Sequence, residues 1–224
     1  PVKVDTDGNP IYLPADEYLS GNVREKLQAA KAVAANDPQF QINVAALEKV
    51  QPKDLEASEI SVRLGATWIP AEYVQQFLEE LLDAPYYTRR MVKVEFAAYT
   101  GSWAITNKKF GDGNIKATVT YGTNRANAYL IAENALNLRS TQIRDKVTAA
   151  DGSVSWVLNK EATQAAQEKQ RQICEQFQDW IFKEPERRQR LVAIYNEKFN
   201  ALRPREYDGS HLKFPGMNPE ITLR

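Results

Sequence analysis

The sequence predicts an α+β fold in which an antiparallel sheet of about five strands packs with helices, with a C-terminal helical hairpin beside it. Three patterns carry that prediction. Apolar residues recur at helical spacing up to Pro85, they alternate with polar residues from Val92 to Tyr121, and two long helical stripes follow Lys160. At 224 residues the chain is long enough for one sizeable core or two small ones.

Taken in order, VKVDTDGNPIYL reads as a short hairpin or extended entry turned at Asp7-Gly8-Asn9-Pro10. In NVREKLQAAKAVAAND, Asn22 is the expected N-cap with Glu25 three residues on, and Val23, Leu27, Ala30 and Ala34 share a helix face. A second helix covers NVAALEKVQ and closes at Pro52. In TWIPAEYVQQFLEELLDAP, Pro70 suits the first helical turn, Val74, Phe77, Leu78 and Leu81 keep helical spacing, and Pro85 ends the run. The period then changes to two. Val92, Val94 and Phe96, then Trp103 and Ile105, then Ala117, Val119 and Tyr121 are read as strands of one half-buried sheet.

TNRANAYLIAENALNLR is expected to be a helix from near Thr123, with Ala128, Ile131, Ala135 and Leu138 inward. Its asparagines Asn127, Asn134 and Asn137 are poor helix formers. QIRDKVTAADGSVSWVLN is a hairpin turned at or near Asp151-Gly152. Ile173, Phe177, Trp180 and Ile181 stripe one long helix, and Leu191, Ile194, Tyr195 and Phe199 stripe the next after a break at Glu184-Pro185; the two are expected to pack as a hairpin. The domain reading is an entry with helices over 1–54, an α+β core over 55–158, the helical hairpin over 159–202 and an extended tail over 203–224.

Lys plus Arg number 29 and Asp plus Glu number 29, so net charge does not drive the chain onto nucleic acid or an anionic membrane. The charge is unevenly placed. Glu48 to Asp83 holds eight acids against three bases, and Tyr86 to Arg125 holds seven bases against two acids. Cys174 has no second cysteine to bridge, and with the single His211 it makes no zinc site, which fits a reducing compartment. Without a bilayer-length apolar run or a signal-peptide core, the expectation is a cytoplasmic protein with no membrane partner.

Asp83-Ala84-Pro85-Tyr86 is superficially like the Asp-Pro-Pro-Tyr element with which adenine methyltransferases hold a flipped base, but it terminates an amphipathic pattern and lacks a glycine-rich cofactor loop beside it. A helix stop is the expected reading. No P-loop is present, Gly111-Asp112-Gly113-Asn114 is read as a hairpin turn, and no cofactor is expected. His211, near Asp208 and Ser210, sits in a Pro/Gly-rich tail that is a poor place to hold a catalytic base. Cys174 is expected to be an inert core or boundary thiol, and Arg187, Arg188 and Arg190, beside Glu184 and Glu186, a solvated helix start.

The basic segment is the candidate site. Arg89, Arg90, Lys93, Lys108, Lys109, Lys116 and Arg125 are interleaved with Tyr86, Tyr87, Phe96, Tyr99, Trp103, Phe110 and Tyr121. Such a surface suits phosphate contact by the cations and base stacking by exposed rings, with Trp103 the largest ring offered. The rival reading puts the rings in the core and leaves the lysines as solubilising charge.

Five stretches, YLSGNVREKL, RLGATWIPAEYVQQF, YGTNRANAYLIAENALNLR, DWIFKEPERRQRLVAIYNEKFN and RPREYDGSHLKFPGMNPEITLR, carry a resemblance over nearly the whole chain. Together they resemble the region between the adenine methyltransferase domain and the Swi/Snf-type helicase domain of very large bacterial proteins of conjugative elements and phages. YLSGNVREKL resembles the segment after the methyltransferase core, and GMNPEITLR resembles the lead into the helicase. The signatures of both enzymes lie outside these residues, so the resemblance implies a linker domain whose partners are the flanking methyltransferase and helicase domains. Pro1 without an initiator methionine and the terminal ITLR are read the same way, as edges of a piece of a longer polypeptide. The tail from Arg203 is expected to lie extended, anchored by Tyr207 and Phe214, or to hang free. The functional expectation is a non-catalytic domain that couples the two modules and touches DNA nonspecifically; its rival is a structural spacer and docking domain.

Overall fold

The computed structural model describes residues 3–4, 10–11, 13–149, 152–207 and 216. Its helices are α1 (Ala15–Tyr18), α2 (Val23–Ala34), α3 (Gln41–Lys49), α4 (Ala71–Leu81), α5 (Tyr86–Met91), α6 (Ala128–Leu136), α7 (Lys160–Ile181) and α8 (Pro185–Phe199). Its strands are β1 (Lys3–Val4), β2 (Pro10–Ile11), β3 (Gly21–Asn22), β4 (Lys93–Ala97), β5 (Ser102–Thr106), β6 (Arg144–Thr148), β7 (Val154–Leu158) and β8 (Leu202–Arg203). The chain divides into two compact units, Pro1–Leu55 with Ala193–Arg224, and Glu56–Val192. Mixed helix and strand, as the sequence predicts, is the architecture of the whole. Among the described residues no helix is long and apolar enough to cross a membrane.

In the first unit β1 pairs antiparallel with β2, as expected for the entry; the predicted turn at 7–9 lies outside the described residues. The expected cap forms, since Asn22 Oδ1 accepts the Glu25 backbone N–H and fixes the start of α2. The apolar face of α2 then buries Val23, Ala30 and Ala34 against Val44 and Leu47 of α3. Strand β8 pairs with β3, Gly21 opposite Arg203, a pairing the sequence pattern did not announce. Beyond it Arg205 binds Asp16 at 2.7 Å and Glu17 at 3.3 Å, and Tyr207 is exposed. Phe214, His211 and the terminal ITLR lie outside the described residues.

The second unit is built around α4, α6 and α7. Helical spacing on α4 brings Phe77 edge-on to Phe177 of α7, ring centroids 5.1 Å apart and planes at 81°, with Trp180 5.4 Å from Phe77. Leu78, Leu82, Ile131, Leu136, Ile173 and Ile181 complete a core with almost no solvent exposure. The apolar stripe of α7 packs on α4 and α6. The corner between α7 and α8 is held by Arg187, which was expected on a solvated surface. It is buried instead, its guanidinium 3.5 Å from the Trp180 ring centroid, donating from Nε to the Ile181 carbonyl and from Nη2 to the Trp180 carbonyl. Both carbonyls lie in the last turn of α7, where the helix's negative end favours a cation; the Trp180 carbonyl also accepts the Lys183 N–H at 3.1 Å. Desolvation pulls the Arg187 pKa below the usual arginine value.

The single five-stranded sheet is not what forms. The described strands make four separate antiparallel pairs, β1 with β2, β3 with β8, β4 with β5 and β6 with β7. The reason for β4 and β5 is visible at their edges. On β4, Gln75 of α4 accepts the Val94 N–H at 2.8 Å and donates to the Val92 carbonyl at 3.1 Å. On β5, Asn137 accepts the Trp103 N–H at 3.0 Å and donates to the Trp103 carbonyl at 2.8 Å. Next along β5, Glu133 accepts the Ile105 N–H and Lys108 donates to the Ile105 carbonyl, each at 2.9 Å. Side chains from the helices occupy the groups that a third strand would use.

The third predicted strand, Ala117 to Tyr121, is a π-helical turn over Lys116–Thr120. The Tyr121 N–H reaches the Lys116 carbonyl at 2.8 Å, and Thr118 bonds the Asn114 carbonyl through both N–H and hydroxyl. Alternation misled here because Ala117 is buried while Val119, two residues on, is exposed. Gly111-Asp112-Gly113-Asn114 is likewise no hairpin turn; it joins a 3-10 turn at Lys108–Gly111 to the π-turn. Helix α6 begins at Ala128, not Thr123, because Asn127 caps it by accepting the Leu130 N–H. Its end falls before Leu138, which has φ +57° and is exposed.

Candidate nucleic-acid interface

Helix α4 ends at Leu81; Asp83, with φ of +46°, turns the chain away, and Pro85 two residues later leads into α5. Asp83-Ala84-Pro85-Tyr86 is therefore a helix-to-helix corner, as its sequence context predicts. Short as it is, α5 sets Tyr86 and Tyr87 on the surface, and the Thr88 hydroxyl bonds the Phe110 carbonyl to dock the Lys108–Gly111 turn against it. Tyr87 and Phe110 then meet edge to face, centroids 5.3 Å apart. Behind them Asn114 donates to the Leu82 carbonyl at 2.8 Å and fixes the approach to the π-turn.

These elements surround an open cleft of about 510 Å³ between the α4–α5 corner and the π-turn. Tyr87, Phe110 and Ile115 supply its apolar lining, and Lys116 and Asp83 face each other across its rim at 3.7 Å. Tyr86 is 80 % exposed beside it. A shallow apolar cleft with Tyr87 and Phe110 in its lining and Lys116 on its rim can stack a planar group and attract an anion.

The eight sequence-predicted contact residues do not act alike. Arg90 and Lys109 are exposed, and their side chains have no hydrogen-bond or ion-pair partner among the described residues. Arg89 donates to the Ala84 carbonyl at 2.6 Å, and Lys93 to the Arg89 carbonyl at 3.1 Å, both from exposed positions. Lys116 shares its charge with Asp83. Lys108 is committed elsewhere, ion-paired with Glu133 while it plugs the β5 edge. Arg125 lies on a different element, bonded to Asp145 at 2.8 Å and to the Arg144 carbonyl at the base of the β6–β7 hairpin. Trp103 is 4 % exposed and packed on Phe96 at 4.7 Å, so its ring cannot stack on a base. Its indole N–H is buried without a hydrogen-bond partner among the described residues.

The electrostatics bear out that division of labour. The Arg125 guanidinium, and then the Asn159 amide, hold the Asp145 carboxyl below the usual aspartate range. Burial, and then Glu79, push Tyr129 up to about 12, so its phenol stays neutral behind the cleft, where Gly111 leaves room for the ring. Burial also raises the Cys174 thiol, which keeps it unreactive near neutral pH. Sequence reasoning did not single out Ile115 or Asn114 as site residues, although both line the cleft. Their signal would have been Asn114 followed by residues that bond back to it, a pattern hidden by the strand-like alternation.

Residues 63–201, more than half of the sequence, match the family described as a domain of unknown function (DUF8437). The chain belongs to that family. No curated protein and no solved structure matches it. The matched segment contains the cleft, both hairpins of the second unit and α4 through α8, so the candidate interface lies within it.

Proposed function

We propose that this DUF8437 chain is a non-catalytic domain that couples an adenine methyltransferase module to a Swi/Snf-type helicase module, and that the cleft face contacts nucleic-acid backbone without sequence preference. The coupling role is supported by the resemblance of the five sequence stretches; a cytoplasmic location goes with it. The DNA contact is supported by one observation above all: α5 carries the exposed Tyr86 and Tyr87 rings together with Arg90, and the Arg90 and Lys109 side chains have no partner among the described residues. The rival, a spacer and docking domain, is supported by the internal commitment of Lys108 and Arg125 and by the burial of Trp103.

The test is the salt dependence of binding to a single-stranded oligonucleotide. Binding is expected to be weak and to fall steeply with salt, and Arg90→Gln with Lys109→Gln to flatten the slope by about one to two units. Lys108→Gln is expected to leave the slope nearly unchanged. An equal loss from Lys108, or no binding at low salt, overturns the proposal in favour of the docking domain.

A further inference from the structure

The β6–β7 hairpin differs from the β4–β5 hairpin in one respect that matters for partners: the outer edge of β7 is open. Asn159 N–H bonds the Ile143 carbonyl and Ala149 N–H the Ser153 carbonyl, so in this register the backbone groups of Val154, Trp156 and Leu158 point away from β6. Among the described residues nothing caps them. On β4 and β5 the equivalent groups are filled by Gln75, Asn137, Glu133 and Lys108. All five residues of β7 are exposed, Trp156 by 62 %, and the strand VSWVL carries no charge and no proline. A lone two-stranded hairpin is marginal in water, and an uncharged apolar edge is a template for another strand.

We infer that the β7 edge is a homodimer interface, in which β7 pairs antiparallel with β7 of a second copy about a two-fold axis at Trp156. Three features of the hairpin select a second copy. The edge is self-complementary: this register sets Trp156 opposite Trp156 and Val154 opposite Leu158, giving about six inter-strand hydrogen bonds. With no charge on β7, no like charges meet at the axis. The other edge is guarded, since β6 bears Arg144 and Lys146 and its Arg144 carbonyl is taken by Arg125. Association therefore closes at two copies as a four-stranded sheet with cationic outer strands, which lie roughly 14 Å apart, beyond the screening length at physiological salt.

Sedimentation of the 224-residue chain across a concentration series tests this. A monomer–dimer equilibrium in the micromolar range is expected, insensitive to added salt, and Trp156→Lys should raise its Kd by about a hundred-fold by placing two cations face to face. Lys146→Gln should leave the dimer intact. Below the dimer Kd, where both chains are monomeric, the Trp156→Lys chain should melt close to the parent, lowered only by the small cost of a second cation opposite Lys146, and this separates lost pairing from lost folding. In hydrogen exchange the amides of Val154, Trp156 and Leu158 should gain protection as concentration rises. A chain that stays monomeric at about 200 μM, or a dimer indifferent to Trp156→Lys, overturns the inference, as does a monomer whose Trp156 fluorescence is quenched only by an oligonucleotide.

Discussion

Replacing Asn137 by alanine should open the outer edge of β5 and cost the domain about 2–3 kcal/mol. The magnitude follows from what the amide does. Its Oδ1 accepts the Trp103 N–H at 3.0 Å and its Nδ2 donates to the Trp103 carbonyl at 2.8 Å, so alanine orphans one donor and one acceptor of a half-buried strand. Each such group costs roughly 1–1.5 kcal/mol when water reaches it in part. The third bond, from Nδ2 to the Glu133 carbonyl, adds little, because that carbonyl keeps the Asn137 backbone N–H at 3.1 Å. Urea unfolding should show a lower midpoint with an unchanged slope, since the area exposed on unfolding is the same. Native-state hydrogen exchange should show faster exchange of the Trp103 amide, with the inward-facing amides of Glu95 and Ala104 little affected. Asn137→Asp keeps the acceptor and loses the donor, so it should fall between the two. A Trp103 amide still protected in the alanine variant, with a stability change under about 0.5 kcal/mol, would refute the view that a helix side chain replaces a third strand here.

Two further outcomes test the packing and the charge map. Gly65 has φ +92° and an added Cβ would lie 2.3 Å from the Leu136 carbonyl oxygen, a backbone atom that cannot yield, so Gly65→Ala should destabilise by about 2 kcal/mol or more in thermal unfolding; a neutral result would show that the loop re-routes freely. For Asp145, whose pKa is held low by Arg125 and then Asn159, the sign is that of a depressed carboxylate: its stabilising contribution is present above the ordinary aspartate value and is lost as pH falls through the lowered one. An NMR titration should find the Asp145 carboxyl below an exposed aspartate and raised towards it in Arg125→Gln, and an unshifted Asp145 would remove the ion pair from the account.

The sequence by itself determined the elements whose information is local. Asn22 with Glu25, the stripe of α2, the Phe77 and Leu78 spacing of α4, and the β6–β7 hairpin were all legible, because caps, helical periods and turn residues act within a few positions. The basic run around Arg90 and Lys109 was legible as composition. Tertiary structure alone decided which cations remain available. Lys108 and Lys109 are neighbours in sequence, yet Lys108 is bound by Glu133 from α6 and Lys109 is not, a difference set by contacts 25 residues away in the chain. It also decided how many strands join a sheet. Asn137 and Gln75 look like unremarkable polar helix residues, and only their placement beside β5 and β4 turns them into edge caps. Val119 alternates as a strand residue should, but alternation records only polarity, and the bonds that Thr118 and Tyr121 make back to Asn114 and Lys116 wind that stretch into a π-turn. Long-range partners of this kind leave no periodic trace, since hydrogen-bond satisfaction constrains a position in space and not its neighbours in the chain.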